Sequence, residues 1–119
     1  MAQKISILGA TGSIGDSTLQ VIAANPDDFT VSAVTAGNNI ERLAEICHRF
    51  QPKFAAIADE ASYNDFKSAV ASLDIETACG EAGVLAAAAY PTDRVMAAIT
   101  GFSGLKPTIT ALQNCSIVM

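Results

Sequence analysis

The sequence predicts an α/β fold in which helices cover both faces of one parallel, doubly wound sheet. Short apolar segments rich in valine, isoleucine and threonine alternate with segments whose apolar residues recur at helical spacing. Glycine, asparagine or proline separates most of these segments. Strands that alternate with helices in this way pair in parallel through right-handed crossovers. We expect a single domain over residues 1–119.

The order of the elements follows from the residues between them. An Asn-Pro pair at 25–26 ends the first helix, and Pro52 separates the second helix from the third strand. Asn38, three residues before Glu41, resembles a helix-start box, and Asp59 is a predicted cap for the third helix. Strands are predicted at residues 4–8, 29–36, 54–58, 75–79, 94–99 and 116–119. Helices are predicted at residues 16–24, 40–50, 59–73, 81–89 and 105–112.

A glycine-rich segment with the spacing G-x-x-G-x-x-G joins the first strand to the first helix. We expect Gly9 to make the tight turn out of the strand and Gly15 to let the helix pack closely. Gly12 leaves room for a phosphate, in a backbone conformation that glycine tolerates best. Thr11 and Ser13 add hydroxyl donors. Free N–H groups at this helix start predict a pyrophosphate site and a Rossmann-like dinucleotide-binding domain. The alternative is a glycine-rich turn that binds no ligand.

The end of the second strand indicates which dinucleotide is bound. A carboxylate at this place would hold a ribose 2′-hydroxyl and favour NAD. Ala36, Gly37, Asn38 and Asn39 stand there instead, with Arg42 one turn into the following helix. Amides, helix N–H groups and a guanidinium can accept a 2′-phosphate, which favours NADP. The alternative is that the two asparagines only turn the chain.

Two further segments end strands at the edge where parallel sheets bind ligands, at residues 59–60 and 100–104. Gly101 in the second of them is therefore a further candidate cofactor-binding residue. Neither segment brings together the carboxylates or the general base that a catalytic centre needs. We therefore predict no catalytic residue and no metal ligand in this chain.

Composition limits the class of protein and its compartment. The formal net charge of −5 at pH 7 argues against nucleic acid as a partner. No apolar run approaches the roughly 18 residues of a membrane span. Cys47, Cys79 and Cys115 are scattered, which is typical of reduced thiols in a cytoplasmic protein. The single histidine also argues against a metal site.

Two residue pairs imitate catalytic motifs. Tyr63 and Lys67 have the Tyr-x-x-x-Lys spacing of short-chain dehydrogenases, but they follow the third predicted strand instead of the fourth. We interpret the tyrosine as packed and the lysine as solvated. Cys47 and His48 are adjacent, and adjacent helical positions point about 100° apart. We therefore expect a core cysteine and a surface histidine.

Segments spread over nearly the whole chain are similar to one known family. They are residues 9–15, 17–19, 25–26, 36–39, 59–62 and 96–108, of which the last, MAAITGFSGLKPT, is the most specific. Together they resemble the N-terminal domain of the 1-deoxy-D-xylulose 5-phosphate reductoisomerase family. The resemblance implies contacts with NADPH, at the pyrophosphate from Thr11, Gly12, Ser13 and Ile14, and at the 2′-phosphate from Gly37, Asn38 and Asn39.

The same resemblance implies an enzyme that uses NADPH and Mg²⁺ or Mn²⁺. Its reaction converts 1-deoxy-D-xylulose 5-phosphate into 2-C-methyl-D-erythritol 4-phosphate, in non-mevalonate isoprenoid biosynthesis. The position of Asn38 often carries lysine or arginine in the family, so we expect weaker 2′-phosphate binding here. Because the chain stops on an apolar strand segment, we expect it to be a fragment. The resemblance implies that the full-length protein is a cytoplasmic homodimer whose catalytic residues and metal ligands lie beyond Met119. The alternatives are a piece of an extended short-chain dehydrogenase or epimerase and a non-catalytic nucleotide-sensing domain.

Overall fold

A computed structural model describes residues 2–99 and 104–114, which form a five-stranded sheet with helices on both faces. The strands are β1 (Gln3–Leu8), β2 (Phe29–Ala36), β3 (Phe54–Ile57), β4 (Glu76–Cys79) and β5 (Arg94–Ala97). The helices are α1 (Ser13–Ala24), α2 (Ile40–Phe50), α3 (Tyr63–Ala69), α4 (Gly80–Ala88) and α5 (Leu105–Asn114). All strand pairs are parallel, in the order β4-β3-β2-β1-β5. The predicted doubly wound, Rossmann-like α/β fold is confirmed.

The sheet separates two apolar clusters, because successive side chains of a strand point to opposite faces. On β1, Ile7 belongs to one cluster and Leu8 to the other. The helices α1, α2 and α3 contribute to the first cluster Leu19, Leu43 and Phe66. The helices α4 and α5 contribute to the second Ala87, Ala88 and Ala111. The small alanine side chains let α4 and α5 approach the sheet closely.

The element boundaries agree best with the prediction where breakers flank a segment on both sides. β2 and α2 have the predicted limits. The predicted helix 59–73 is wrong in extent, since a 3-10 turn at Glu60–Ser62 precedes α3 and α3 ends at Ala69. The bonds that follow α3 span three residues, from Ala71 N to Ser68 O and from Leu73 N to Val70 O. They tighten the chain so that Leu73 packs against the first cluster.

The strand order places a ligand crevice at the carboxyl ends of β1 and its neighbours. From β1 the chain winds through β2, β3 and β4 on one side, and then crosses back to β5 on the other side. The direction of winding therefore reverses between β1 and β5. In open α/β sheets ligands bind at such a switch point.

Within the described residues, no helix is long and apolar enough to cross a membrane. The longest, α1, has 12 residues, whereas a membrane-spanning helix needs about 20. Cys47 and Cys79 are free thiols. Cys115, the predicted strand 116–119 and the loop residues 100–103 lie outside the described part of the chain.

Candidate cofactor-binding site

The turn after β1 is fixed by two hydrogen bonds to one residue of β2. The N–H of Gly9 donates to Oγ1 of Thr35, and the N–H of Ala10 donates to the carbonyl oxygen of Thr35, both at 2.8 Å. Gly9 has a φ of 81°, in the left-handed region that favours glycine. A Cβ at Gly9 would also lie 2.9 Å from the carbonyl oxygen of Ala98. The tight turn predicted at Gly9 is therefore present, and only glycine fits it.

Gly15 lets α1 begin directly against this turn. A Cβ at Gly15 would lie 2.6 Å from the carbonyl oxygen of Gly9 and 2.7 Å from Ala10. Gly12 differs, since its φ of −84° and ψ of 179° are ordinary extended values. A Cβ at Gly12 would lie 3.7 Å from the oxygen of Gly9, at ordinary contact distance. The expectation that the backbone of Gly12 requires glycine is wrong. What remains of the prediction is that the missing Cβ lets a phosphate come close to the backbone.

The start of α1 has the features of an anion site. Gly12 is the N-cap and makes no side-chain capping hydrogen bond. The first N–H groups of a helix have no carbonyl partner within the helix, and the helix dipole adds positive charge there. Among the predicted pyrophosphate residues, Thr11 is half-buried, whereas Gly12, Ser13 and Ile14 are exposed. The loop can therefore present backbone N–H groups to a phosphate.

A cleft of about 730 Å³ opens beside this loop at the carboxyl edge of the sheet. Its floor is formed by the ends of β1, β2, β3 and β5. One wall is formed by α4 and α5 through Glu81, Val84, Lys106 and Pro107. The remaining lining residues are Gly9, Gly12, Thr35, Ala36, Gly37, Ala58, Ala98 and Ile99. Mostly small and apolar side chains line the cleft, which suits a flat ring system.

The end of β2 lies at the same cleft. Ala36 is buried, and Gly37, Asn38 and Asn39 are exposed. Two backbone hydrogen bonds of 2.9 Å tie this turn to the end of β3, from Ala58 N to the oxygen of Ala36 and from Asp59 N to the oxygen of Gly37. A Cβ at Gly37 would meet no atom within 4 Å. Hydrogen bonds to the end of β3 therefore hold the turn in place, while the space beside Gly37 is open.

The helix-start box predicted at Asn38 is displaced by one residue. Asn39 is the N-cap of α2, and its Oδ1 accepts a hydrogen bond from the N–H of Arg42 at 3.2 Å. An N-cap side chain accepts from the second or third helical N–H, which fixes the cap at position 39. The amide of Asn38 is therefore left exposed beside the cleft.

Arg42 is engaged by two carboxylates. Its Nη2 lies 2.7 Å from Oδ1 of Asp16, and its Nη1 lies 3.2 Å from Oε2 of Glu45. Asp16 is in the first turn of α1, so this ion pair joins the N-terminal turns of α1 and α2. The sequence placed Arg42 near a 2′-phosphate but did not reveal these two partners.

Sequence reasoning also missed Thr35 and the wall of the cleft. Thr35 is 1% exposed although it is polar, and such a residue in a buried strand signals a specific hydrogen bond. The wall carries an ion pair of 2.7 Å between Lys106 Nζ and Glu81 Oε1. These two residues are 25 positions apart, so no local pattern predicts their contact. Gly101, also predicted to bind cofactor, lies outside the described residues.

The two residue pairs that resemble catalytic motifs have structural roles. Tyr63 donates its hydroxyl to the carbonyl oxygen of Thr77 at 3.2 Å, and Lys67 is exposed. Cys47 is buried, and burial raises the pKa of its thiol to about 12. His48 is exposed, with Nε2 3.0 Å from the carbonyl oxygen of Ala69. In residues 2–99 and 104–114, no group of three or more histidine, cysteine, aspartate or glutamate side chains could hold a metal ion.

A family model and the curated relatives that match this chain carry the same enzyme name. A family model described as 1-deoxy-D-xylulose 5-phosphate reductoisomerase matches residues 5–119. The protein of that name from Rhodopseudomonas palustris strain BisA53 is 43% identical over 116 residues, which are 98% of this chain and 28% of the relative. The one from Bradyrhizobium diazoefficiens is 44% identical over 112 residues, which are 94% of this chain and 28% of the relative. The chain thus spans less than a third of these curated relatives.

Solved structures give the same likeness. The 1-deoxy-D-xylulose 5-phosphate reductoisomerase from Zymomonas mobilis in complex with NADPH has a TM-score of 0.93 and 41% identity. That match covers 98% of this chain and 32% of the other. A DOX-P reductoisomerase in complex with NADPH, fosmidomycin and magnesium has a TM-score of 0.86 and 35% identity, over 92% of this chain and 27% of the other.

Proposed function

Since this chain belongs to the 1-deoxy-D-xylulose 5-phosphate reductoisomerase family, we propose that it is the NADPH-binding domain of such an enzyme. The observation that carries the proposal is the uncapped start of α1, which opens beside the 730 Å³ cleft at the switch point of the sheet. Family membership excludes the alternative of an extended short-chain dehydrogenase or epimerase. The known structures with NADPH support the proposed ligand.

NADPH fits the residues present in the cleft. We propose that the pyrophosphate binds at the loop Gly9, Thr11, Gly12, Ser13, Ile14 and Gly15. A negatively charged pyrophosphate suits the N–H groups and the positive end of the α1 dipole. The adenosine ribose lies at Ala36, Gly37, Asn38 and Asn39, a segment that contains no carboxylate of the kind that favours NAD. NADPH supplies a hydride when it is bound, and these residues hold its adenosine half in place.

The activity of the whole protein is proposed from the family. We propose that it converts 1-deoxy-D-xylulose 5-phosphate into 2-C-methyl-D-erythritol 4-phosphate with Mg²⁺ or Mn²⁺. The relatives crystallised with magnesium and with fosmidomycin support a metal and a small-molecule substrate. No group of metal ligands occurs in the described part of this chain, so no metal-dependent step is assigned to it.

The remaining proposals concern partners and compartment. The negative charge supports a protein that does not bind nucleic acid. The free thiols of Cys47 and Cys79 support a reducing, cytoplasmic compartment. We propose that the full-length protein is a homodimer that does not associate with membranes, as expected from the family.

The location of the ligand can be tested by nuclear magnetic resonance. NADPH is titrated into the isotope-labelled 119-residue chain, and the backbone amide shifts are followed. We expect the largest shifts at residues 12–15 and 37–39, and unchanged amides in α3 on the far side of α2. Shifts confined to other residues, or no shifts at all, would contradict the proposed function.

A further inference from the structure

The ion pair between Arg42 and Asp16 lies between the two parts of the proposed cofactor site. Asp16 directly follows Gly15 in the first turn of α1, and Arg42 is in the first turn of α2. Pyrophosphate is proposed at the start of α1 and the adenosine ribose at the turn before α2. A 2′-phosphate on that ribose therefore approaches the side chain that joins the two turns.

The guanidinium group of Arg42 is already paired with carboxylates. One guanidinium group contacts the carboxylates of Asp16 at 2.7 Å and of Glu45 at 3.2 Å. The Asp16 carboxylate is fixed further, because its Oδ2 accepts a hydrogen bond from Gln20 Nε2 at 2.9 Å. The Arg42 side chain is 33% exposed and the Asp16 side chain 43%, so neither is sealed from a ligand. The three charged groups together carry one net negative charge.

A 2′-phosphate would bring about two more negative charges to this cluster. Guanidinium groups bind phosphate through paired N–H donors, and Nη2 of Arg42 now donates to Asp16. The phosphate and the Asp16 carboxylate thus compete for the same guanidinium group. A carboxylate that remains near the phosphate also repels it.

We propose that Asp16 competes with the 2′-phosphate of the cofactor for Arg42, and so lowers the preference for NADPH over NADH. This inference rests on the proposed function. Asp16 acts as a specificity-determining residue through Arg42, and contact between Asp16 and the cofactor is not required. NADH, which lacks the 2′-phosphate, leaves the ion pair between Arg42 and Asp16 intact.

The test is a double-mutant cycle measured with two cofactors. Dissociation constants for NADPH and NADH are determined by calorimetry for the wild-type chain, Asp16→Asn, Arg42→Gln and the double variant. We expect Asp16→Asn to tighten NADPH about two- to fivefold, as for an exposed ion pair, with NADH unchanged. With Arg42→Gln present, Asp16→Asn should no longer change the NADPH constant. The same measurements are repeated with adenosine 2′,5′-bisphosphate and with AMP, which carry no nicotinamide.

A matched control separates the ion pair from general electrostatics. Glu41→Gln removes one negative charge from the same turn of α2, and Glu41 takes part in none of the ion pairs of the described residues. The ratio of the dissociation constants for NADPH and NADH should stay near the wild-type value in this variant. Equal effects of Asp16→Asn on both cofactors, or an effect that persists in Arg42→Gln, would overturn the inference and leave the proposed function standing. A wild-type chain that binds neither cofactor would overturn both.

Discussion

Thr35 holds the first turn of the glycine loop through its side chain. Its Oγ1 accepts a hydrogen bond of 2.8 Å from the N–H of Gly9, across 26 positions of sequence. The backbone oxygen of Thr35 accepts a second bond from the N–H of Ala10. The proposed phosphate loop is thus positioned by the neighbouring strand β2, and its shape does not depend on the glycine motif alone.

Thr35→Val should therefore destabilise the chain and loosen the loop. Valine has nearly the same shape but no acceptor, so the N–H of Gly9 loses its partner. We expect the free energy of unfolding in urea to fall by about 1 kcal/mol, and NADPH binding to weaken. Thr30→Val is the matched control, because Thr30 lies on the same strand and is exposed. Equal effects of the two substitutions would show that the hydroxyl of Thr35 does not support the loop.

Gly12 and Gly15 should respond differently to the same substitution. Gly15→Ala places a Cβ 2.6 Å from a backbone oxygen, and we expect it to lower the free energy of unfolding by about 1–3 kcal/mol. Gly12→Ala places a Cβ at 3.7 Å in an extended backbone, so only the poorer capping by alanine at this N-cap should cost stability, about 0.5–1 kcal/mol. Urea unfolding of both variants measures the difference.

Gly12→Val tests the ligand role of the same position. The larger side chain should occupy the space of the pyrophosphate and abolish NADPH binding, while the thermal unfolding midpoint stays near that of Gly12→Ala. Calorimetric titration and circular dichroism measure the two effects separately. Near-normal NADPH binding by Gly12→Val would mean that the phosphate binds elsewhere.

Elements bounded by chain-breaking residues on both sides were predictable from the sequence. β2 and α2 were predicted with correct limits because Asn25, Pro26 and Gly37 interrupt the pattern around them. The end of α3 was not, since no glycine or proline marks it and the packing of Leu73 decides it. The bond from Gly9 to Thr35 and the ion pair of Arg42 with Asp16 each span 26 positions. Such contacts depend on the pairing and packing of whole elements, which local patterns do not encode.

Cys47 should make stability depend on pH in the alkaline range. Burial raises the pKa of its thiol from 9.0 to about 12, so the folded state keeps a proton that the unfolded state loses. This contribution is complete below pH 9 and is lost as the pH rises from 9 towards 12. We expect the free energy of unfolding to fall less steeply over this range in Cys47→Ala than in the wild type. Parallel slopes in urea unfolding at several pH values would contradict the shifted pKa.

The 119-residue chain should not turn over 1-deoxy-D-xylulose 5-phosphate. Mg²⁺ and Mn²⁺ need several oxygen ligands held together, and no such group occurs in residues 2–99 or 104–114. An absorbance assay follows NADPH in the presence of the purified chain, the substrate and Mn²⁺. We expect NADPH to be oxidised no faster than in a blank without protein. Substrate-dependent oxidation above that blank would show that catalytic residues lie within this chain.

We expect this domain to bind NADPH in preference to NADH. Calorimetric titration of the purified chain with each cofactor tests it directly, under one buffer and one salt concentration. We predict saturable binding of one NADPH per chain. We also predict that NADPH binds more tightly than NADH by about 1–3 kcal/mol, as expected for one or two charge-assisted hydrogen bonds to the 2′-phosphate. Equal affinity for the two cofactors, tighter binding of NADH, or no binding of NADPH would contradict the claim.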